Sequence, residues 1–199
     1  MKIIFASQNK GKVKEIKAIF AKTKFEIYSL YDLGNDIEIE ETGVTFYENA
    51  LIKAKAIYEY YKEPAVADDS GLVIEQLDGR PGVYSARYAG EGCSYEDNNL
   101  KVISELWDLP EPHNAKFIST AVFYDGKNII EAVGELPGKI ILEQRGTEGF
   151  GYDPIFIPEG LDKTIAELSF EFKNGMSHRA KSFDALKVKL DDYFSAITT

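Results

Sequence analysis

The chain has 199 residues, of which 44% are hydrophobic and 13% aromatic, so it carries enough apolar surface for a folded core. Its formal net charge of −10 disfavours nucleic acid or an anionic membrane surface as a partner, because such binders carry a basic surface. No apolar run approaches the roughly 20 residues of a membrane helix, and the single cysteine, Cys93, excludes an intramolecular disulfide. We therefore expect a cytoplasmic protein without a signal peptide, in which any polyanion site gathers local basic side chains.

The predicted elements of the first half alternate between strands and helices. In chain order they are a strand over 1–6, a helix over 11–22, a strand over 25–30 and a helix over 45–61. Thr45 and Glu48 form a capping box at the start of that last helix. Two short strands, 65–67 and 72–74, are predicted to flank an acidic turn.

The second half is predicted to contain two further helices and a hairpin. In chain order it has a loop over 78–92, a helix over 94–107, hairpin strands over 116–124 and 127–136, short strands over 139–142 and 154–157, and a closing helix over 182–197. Ser94 and Asp97 provide the capping signal of the first of these helices, and Asp125-Gly126 forms the hairpin turn. The pattern predicts one domain over residues 1–199, with a mixed sheet and helices packed around it.

The turn between the first strand and the first helix is a candidate phosphate site. It consists of Ser7, Gln8, Asn9, Lys10, Gly11 and Lys12. A helix N-terminus presents unpaired backbone N–H groups and a partial positive charge, which suit an anion. Lys12 adds a cation, and Gly11 permits close approach to the backbone. An ordinary capped turn with solvated lysines explains the same residues, and the ending of a Walker A loop is missing.

Two acidic segments are candidate magnesium ligands. Asp68 and Asp69 follow a short apolar strand, and Glu38, Glu40 and Glu41 lie earlier in the chain. Neighbouring side chains of an extended chain point to opposite faces, so only one of the two aspartates faces a given cleft. Carboxylates from two segments can share one Mg²⁺, which keeps waters and substrate phosphates as its other ligands. A turn cap and a solvated acidic edge are the alternative interpretations.

Two later segments are candidates for recognition of a base. The first is a glycine-flanked turn formed by Phe150, Gly151, Tyr152 and Asp153. A purine stacked on Phe150 would gain about 1–3 kcal/mol. The second is the pair His178 and Arg179, which can donate to a base carbonyl or a phosphate oxygen. Inward-packed rings and structural basic side chains are the alternatives.

Taken together, the motifs resemble those of the inosine triphosphate pyrophosphatase family, whose enzymes remove dITP, ITP and XTP from nucleotide pools. The resemblance covers nearly the whole chain. It is carried by segment 7–12, Glu40-Glu41-Thr42-Gly43, Phe46-Tyr47-Glu48-Asn49-Ala50, Ala67-Asp68-Asp69-Ser70-Gly71-Leu72, segment 79–88, segment 149–156 and Ser177-His178-Arg179. The first segment departs from the family's usual Thr-Gly-Asn, since Gln8 stands in place of the glycine.

The resemblance implies Mg²⁺-dependent cleavage between the α and β phosphates, which yields a nucleoside monophosphate and pyrophosphate. It also implies a homodimer of α/β (mixed α+β) subunits, each with an elongated central mixed β-sheet flanked by helices and an active-site cleft between two lobes. Asp69 is the implied proton acceptor and a metal ligand, with Glu40 or Glu41 as the second ligand. The implied triphosphate contacts are segment 7–12, Lys53 and Ser70. The implied base contacts are Phe150, Gly151, Tyr152, Asp153, Lys173, His178 and Arg179.

Two other functions remain open from the sequence. A Maf-like pyrimidine nucleotide pyrophosphatase has a related fold but a different first motif, and it would prefer dTTP or UTP. A non-catalytic nucleotide sensor is disfavoured, because two carboxylates beside a triphosphate weaken its binding unless a metal intervenes.

Overall fold

The computed structural model describes residues 1–35 and 37–197, so Asp36, Thr198 and Thr199 of the predicted domain lie outside the described residues. The strands are β1 (Lys2–Phe5), β2 (Glu26–Ser29), β3 (Ala65–Ile74), β4 (His113–Tyr124), β5 (Ile129–Ile140) and β6 (Phe156–Pro158). The helices are α1 (Lys10–Phe20), α2 (Phe46–Tyr61), α3 (Tyr95–Leu106), α4 (Phe170–Met176) and α5 (His178–Ile197). Within these described ranges, none of the helices combines the length and apolarity needed to cross a membrane.

The strands form one six-stranded sheet with the order β2-β1-β3-β4-β5-β6. Strand β1 runs parallel to both β2 and β3, whereas β5 pairs with β6 in the antiparallel sense. A sheet with both kinds of pairing and helices from five chain segments belongs to the mixed α/β class. The predicted fold class is thus confirmed.

The chain divides into two compact units, each with its own core. The first unit comprises Met1–Asp69, Ser119–Gly134 and Arg179–Thr199, and the second comprises Ser70–Ile118 and Glu135–His178. The boundary between the two units falls within β3, directly after Asp69. The single domain over residues 1–199 stays a prediction.

The first unit buries side chains from both faces of β3. Val66 packs with Ile16 of α1 and Phe183 of α5, whereas Ala65 and Ala67 pack with residues of α2. This division follows from the alternation of side chains along a strand. By the same alternation, the Asp68 side chain lies on the face of β3 that packs against α1 and α5. The Asp69 side chain lies on the opposite face, which packs against α2.

The second unit has its own apolar cluster. Val102 and Leu106 of α3 pack with Leu72 of β3, and the cluster also includes Phe117 and Tyr152. Helix α3 begins with the predicted capping box, in which Ser94 accepts from the Asp97 amide and the Asp97 side chain accepts from Ser94. The packing of Val102 and Leu106 thus attaches α3 to the core of this unit.

Strand β3 differs from its sequence prediction. The sequence predicts a turn at Asp68-Asp69-Ser70-Gly71, but the structure has one continuous strand over Ala65–Ile74. The prediction was wrong because buried charges in a strand need partners from distant chain segments, and local pattern does not show those partners. The acidic pair consequently lies in the middle of a strand.

The closing helix also differs from its prediction. It begins at His178 rather than at residue 182, so His178 and Arg179 form its first turn. A short helix, α4 (Phe170–Met176), precedes it and was not predicted. The two predicted strands over 127–136 and 139–142 are largely one strand, β5, despite Pro137 and Gly138.

Candidate active site

Helix α1 begins at the turn that was predicted to bind phosphate. Asn9 caps the helix, because its side-chain oxygen accepts a hydrogen bond from the Lys12 amide at 3.1 Å. The Ser7 hydroxyl accepts from the Asn9 amide at 3.2 Å. Gln8 is exposed and Gly11 is half-buried. The turn is thus an ordered helix N-terminus, and its predicted phosphate contacts stay predictions.

The two lysines of this turn make different contacts. Lys10 is exposed, with its Nζ 5.3 Å from the centroid of the Tyr31 ring. The Lys12 Nζ lies 3.0 Å from Asp68 Oδ2. Burial lowers the pKa of Lys12, and the neighbouring Arg179 adds to this while Asp68 opposes it. Of the two lysines in this turn, Lys12 is therefore the one that contacts the acidic pair, through Asp68.

Asp68 lies in a buried ion-pair network of the first unit. Its Oδ2 accepts from Lys12 and, at 3.1 Å, from Arg179 Nε. Arg179 Nη1 donates in turn to Glu15 Oε2 at 2.6 Å. Arg179, predicted to contact the base, is only 2% exposed and is engaged by two carboxylates. Its base contact stays a prediction.

The Asp68 carboxylate is held in its ionised form. Burial alone would raise the pKa of Asp68, but the charges of Lys12 and Arg179 hold it well below its usual range. Asp68 Oδ1 is buried and has no hydrogen-bond partner among the residues that the structure describes. A buried carboxylate oxygen of this kind can accept a further donor or cation.

Asp69 is held by α2 on the opposite face of β3. Asn49 Nδ2 donates to Asp69 Oδ2 at 3.0 Å, and the Lys53 Nζ lies 3.8 Å from Asp69 Oδ1. Asn49 Oδ1 accepts from the Gly43 amide at 2.8 Å, which fixes the side-chain amide. Burial raises the pKa of Asp69, although Lys53 acts against the shift. The predicted separation of the two aspartates onto opposite faces is confirmed.

Glu41 is the acidic residue of the earlier segment that reaches this site. Its Oε1 accepts from Lys53 Nζ at 2.8 Å, so Glu41 and Asp69 both contact one ammonium group. Glu40 is exposed, whereas Glu41 is half-buried. The structure therefore brings Glu41, rather than Glu40, to Asp69.

The carboxylates fit the oxygen-rich coordination that Mg²⁺ prefers. Across residues 1–35 and 37–197 there is no group of three or more His, Cys, Asp or Glu side chains that could hold a metal by itself. Mg²⁺ usually takes one or two carboxylates and completes its shell with waters and substrate phosphates. Asp69 and Glu41, already arranged around a cation, match that donor set.

The predicted base-binding turn belongs to the second unit. Asp153 Oδ2 accepts from the Phe150 amide at 2.9 Å and from Lys173 Nζ at 2.7 Å. The same Nζ lies 4.4 Å from the centroid of the Phe150 ring. A Cβ added at Gly149, where φ is +79°, would lie 2.1 Å from Asp153 Oδ2, so only glycine fits there. The structure thus brings Phe150, Asp153 and Lys173 together.

Tyr152 and His178 are buried in the second unit. The Tyr152 hydroxyl donates to the Ser85 carbonyl at 2.8 Å, and burial raises its pKa. The His178 ring stacks on Phe117 with centroids 4.8 Å apart and an interplanar angle of 13°. Ser70 is half-buried on β3. Tyr152 anchors the turn that carries Phe150, and the predicted ligand contacts of Tyr152, His178 and Ser70 stay predictions.

Comparison with known proteins identifies the family. A match to the Ham1 family covers residues 3–189. The chain belongs to the Ham1 family. The dITP/XTP pyrophosphatase of Oceanobacillus iheyensis, at 49% identity, covers 94% of this chain and 96% of its own length. The family predicted from the motifs is confirmed.

Solved structures of Ham1 proteins have the same fold. The Staphylococcus aureus Ham1 protein has a TM-score of 0.86 and 38% identity, over 97% of this chain and all of the other. The Coxiella burnetii HAM1 protein has a TM-score of 0.88 and 35% identity, over 96% of this chain and 99% of the other.

Several residues that contact the predicted site residues were not assigned a role from the sequence. They are Glu15, which holds Arg179; Asn49, which holds Asp69; and Phe117, which supports His178. Asn49 lies within a segment that carries the family resemblance, so that segment was the available signal. Glu15 contacts Arg179 and Phe117 contacts His178, both far away in the chain, and no local pattern marks such contacts.

Proposed function

We propose that this chain hydrolyses the non-standard purine nucleoside triphosphates dITP, ITP and XTP to the monophosphate and pyrophosphate. The observation that carries the proposal is the Asp69 carboxylate. It is buried and raised in pKa, it is oriented by Asn49, and it lies beside a lysine shared with Glu41. The curated relatives named dITP/XTP pyrophosphatase support the choice of substrate.

Asp69 accepts the proton of the water that attacks the α-phosphorus. A raised pKa makes a carboxylate a stronger base, and Asn49 fixes the direction of its oxygens. Asp69 and Glu41 would hold Mg²⁺, which would supply positive charge beside the triphosphate and the departing pyrophosphate. Glu41 is the second ligand in this proposal because it reaches the same ammonium as Asp69.

Lys12, Lys53 and the N-terminus of α1 bind the phosphates. Both lysines are mostly buried beside carboxylates, so their ammonium groups are held in place before the substrate arrives. Preorganised cations of this kind stabilise charge that develops on the leaving group. They also provide the local positive charge that a body with a net charge of −10 requires.

The Phe150 turn and His178 bind the base. Phe150 provides a ring for stacking. Asp153 accepts from the Phe150 amide, and Lys173, which is paired with Asp153, places its ammonium over one face of the Phe150 ring. A donor such as His178 favours the 6-carbonyl of hypoxanthine and xanthine over the 6-amino group of adenine. A buried mismatch of that kind costs about 1–3 kcal/mol.

The protein acts as a homodimer in the cytoplasm. The single cysteine, Cys93, agrees with a reducing compartment. Sedimentation velocity would report the dimer, and a monomer at micromolar concentration would contradict it.

The experiment is a panel of triphosphates at fixed Mg²⁺, with pyrophosphate release as the readout. We expect dITP, ITP and XTP to be cleaved at least ~10-fold faster than ATP, GTP and dTTP. Chelation with EDTA should abolish release. Asp69→Asn should lower kcat by about 100-fold or more, whereas Asp192→Asn, at an exposed acid on α5, should not change it.

Two results would redirect the proposal. Faster turnover of dTTP than of dITP or XTP would favour a pyrimidine nucleotide pyrophosphatase of the Maf type. No release from any triphosphate, with binding retained, would favour a nucleotide sensor. A loss in Glu40→Gln as large as that in Glu41→Gln would contradict the assignment of the second ligand.

A further inference from the structure

Helix α3 contacts the base-binding turn through two side chains, those of Tyr95 and Asn99. The Tyr95 ring lies 6.2 Å from the Phe150 ring, centroid to centroid, with an interplanar angle of 39°. Asn99 Nδ2 donates to the Gly151 carbonyl at 3.2 Å. Beside these contacts, Glu96 accepts from Gln144 at 2.8 Å, and Gln144 precedes Phe150 in the chain by six residues. All of these residues belong to the second unit.

Asn99 is the buried member of this set. The residue is 2% exposed, and its Nδ2 also lies 3.4 Å from Gln144 Oε1. The Gly151 carbonyl is only an acceptor, so the amide of Asn99 must present its NH₂ group to the turn. Asn99 therefore ties Gly151 and Gln144 to the same point of α3.

The turn itself has little intrinsic rigidity. Gly149 and Gly151 flank Phe150 and both have positive φ values, +79° and +66°. Glycine backbone loses more conformational freedom on ordering than any other residue. A base that stacks on Phe150 binds more tightly if that freedom has been removed beforehand. A hydrogen bond from the buried Asn99 and a ring contact from Tyr95 act directly on this segment.

We propose that Asn99 and Tyr95 are positioning residues for purine binding: they hold the Phe150 turn from α3 in the conformation that accepts the base. The inference rests on the proposed function for the role of Phe150, and extends it to a helix that the resemblance did not implicate. Neither residue takes part in the chemical step, so their effect should fall on base affinity and leave pyrophosphate binding unchanged.

The test compares Asn99→Ala and Tyr95→Ala with wild type. We expect KM for ITP to rise about threefold to tenfold in each, the effect of one lost hydrogen bond or ring contact, with kcat within about twofold. The inhibition constant of pyrophosphate, which carries no base, should be unchanged. Tyr95 is 47% exposed, so Tyr95→Ala should fold even if the buried Asn99→Ala does not. In that case the KM of Tyr95→Ala for ITP tests the inference.

Asn98→Ala is the matched control. Asn98 is equally buried and adjacent on α3, but it binds the Ala89 amide and the Ala86 carbonyl instead of the Phe150 turn. A merely structural role for Asn99 would give both variants the same KM for ITP. An unchanged KM in folded Tyr95→Ala and Asn99→Ala would equally overturn the inference.

Amide hydrogen exchange separates this inference from the proposed function. We expect the amides of 149–153 to exchange faster in Asn99→Ala and Tyr95→Ala than in Asn98→Ala, by about threefold to tenfold. Wild type that fails to cleave ITP would contradict the proposed function, while this exchange pattern would still support the positioning role. Equal exchange in all three variants would contradict the positioning role itself.

Discussion

Asp68 and Asp69 are neighbours in the chain, but the structure surrounds them with different charges. Asp68 contacts Lys12 and Arg179, which hold its pKa low despite burial. Asp69 is buried with weaker compensation from Lys53, and its pKa is raised. A lowered pKa means that the folded state favours the ionised group, and a raised pKa means that it disfavours it. The two carboxylates should therefore affect stability with opposite signs.

Replacement of each aspartate by asparagine tests this difference. At pH 7 we expect Asp68→Asn to lower the free energy of unfolding by about 3 kcal/mol, because buried cations lose their partner. Asp69→Asn should raise it by about 1 kcal/mol, because a disfavoured charge is removed from the folded state. Urea unfolding in EDTA measures both, and an equal loss in the two variants would contradict the prediction.

The sequence predicted part of this residue-level arrangement. The opposite faces of Asp68 and Asp69 follow from strand geometry, which is local. The role of Glu15 did not follow, because its partner Arg179 is 164 positions away in the chain. Arg179 was expected to contact the base since its motif resembles the family's, and only the packing of α5 against both α1 and β3 shows its two carboxylate partners, Glu15 and Asp68.

Among the elements, the β4–β5 hairpin is tied to α5 by one polar cluster. The Asp125 carboxylate accepts from the amides of Lys127 and Asn128 and, at 2.5 Å, from the Tyr193 hydroxyl. Burial alone would raise the pKa of Asp125, but these hydrogen bonds from Tyr193, Asn128 and Lys127 lower it. The contact therefore stabilises the folded state only while Asp125 is ionised.

Tyr193→Phe tests this contact, because the stability lost in the variant should depend on pH. A lowered pKa gives stability that is complete above the unfolded pKa of about 4 and is lost as the pH falls through the folded value. We expect Tyr193→Phe to cost about 1 kcal/mol near pH 6 and progressively less below about pH 4. Chemical denaturation at several pH values measures the difference. Tyr60→Phe, at an exposed tyrosine of α2, should show no such trend; a constant cost in Tyr193→Phe would rule out the linkage to Asp125.

Elements with local signals were predicted closely, and β3 was not. The capping boxes Thr45–Glu48 and Ser94–Asp97 mark the starts of α2 and α3, since a cap is made within four residues. Strand β3 contains Asp-Asp-Ser-Gly, a sequence typical of a turn. Contacts from α1, α2 and α5 stabilise its charges in an extended conformation. These contacts are distant in the chain, so rules based on local sequence cannot predict them.

For the whole molecule, the dominant electrostatic property is the net charge of −10. Excess charge of one sign destabilises a compact state through self-repulsion. Salt screens exposed charges beyond about 10 Å at 0.1 M, but it affects buried pairs much less. The ion pairs around Asp68 and Lys173 are buried, so they should survive in salt while the repulsion is reduced.

We therefore expect salt to stabilise the protein. An increase in NaCl from about 0.05 M to about 0.5 M should add about 1 kcal/mol, or about 2–4 °C in Tm. Choline chloride at the same ionic strength should have the same effect, which would exclude specific binding of sodium. A falling Tm would show that exposed pairs such as Lys116–Glu135 outweigh the repulsion.

At this scale, mixed α/β class and family membership were accessible from the sequence, and the resemblance implied two lobes, whereas the position of the boundary between the two units was not accessible. The motif segments lie along the whole chain, and their order is enough to indicate the family. The division falls inside β3, between Asp69 and Ser70, and inside the Ser177-His178-Arg179 motif. A boundary that runs through continuous secondary structure leaves no linker composition for sequence analysis to detect.

The position of β3 between β1 and β4 has a consequence for how the protein tolerates heat. Interior strands are among the last parts of a protein to open, whereas glycine-rich loops fluctuate well below the melting transition. Asp69 lies on such a strand, and Phe150 lies on such a loop. If Phe150 and Asp69 have the roles proposed above, mild warming should release the Phe150 turn from Asn99 and Tyr95 before β3 opens, so that selectivity for the purine declines before activity does.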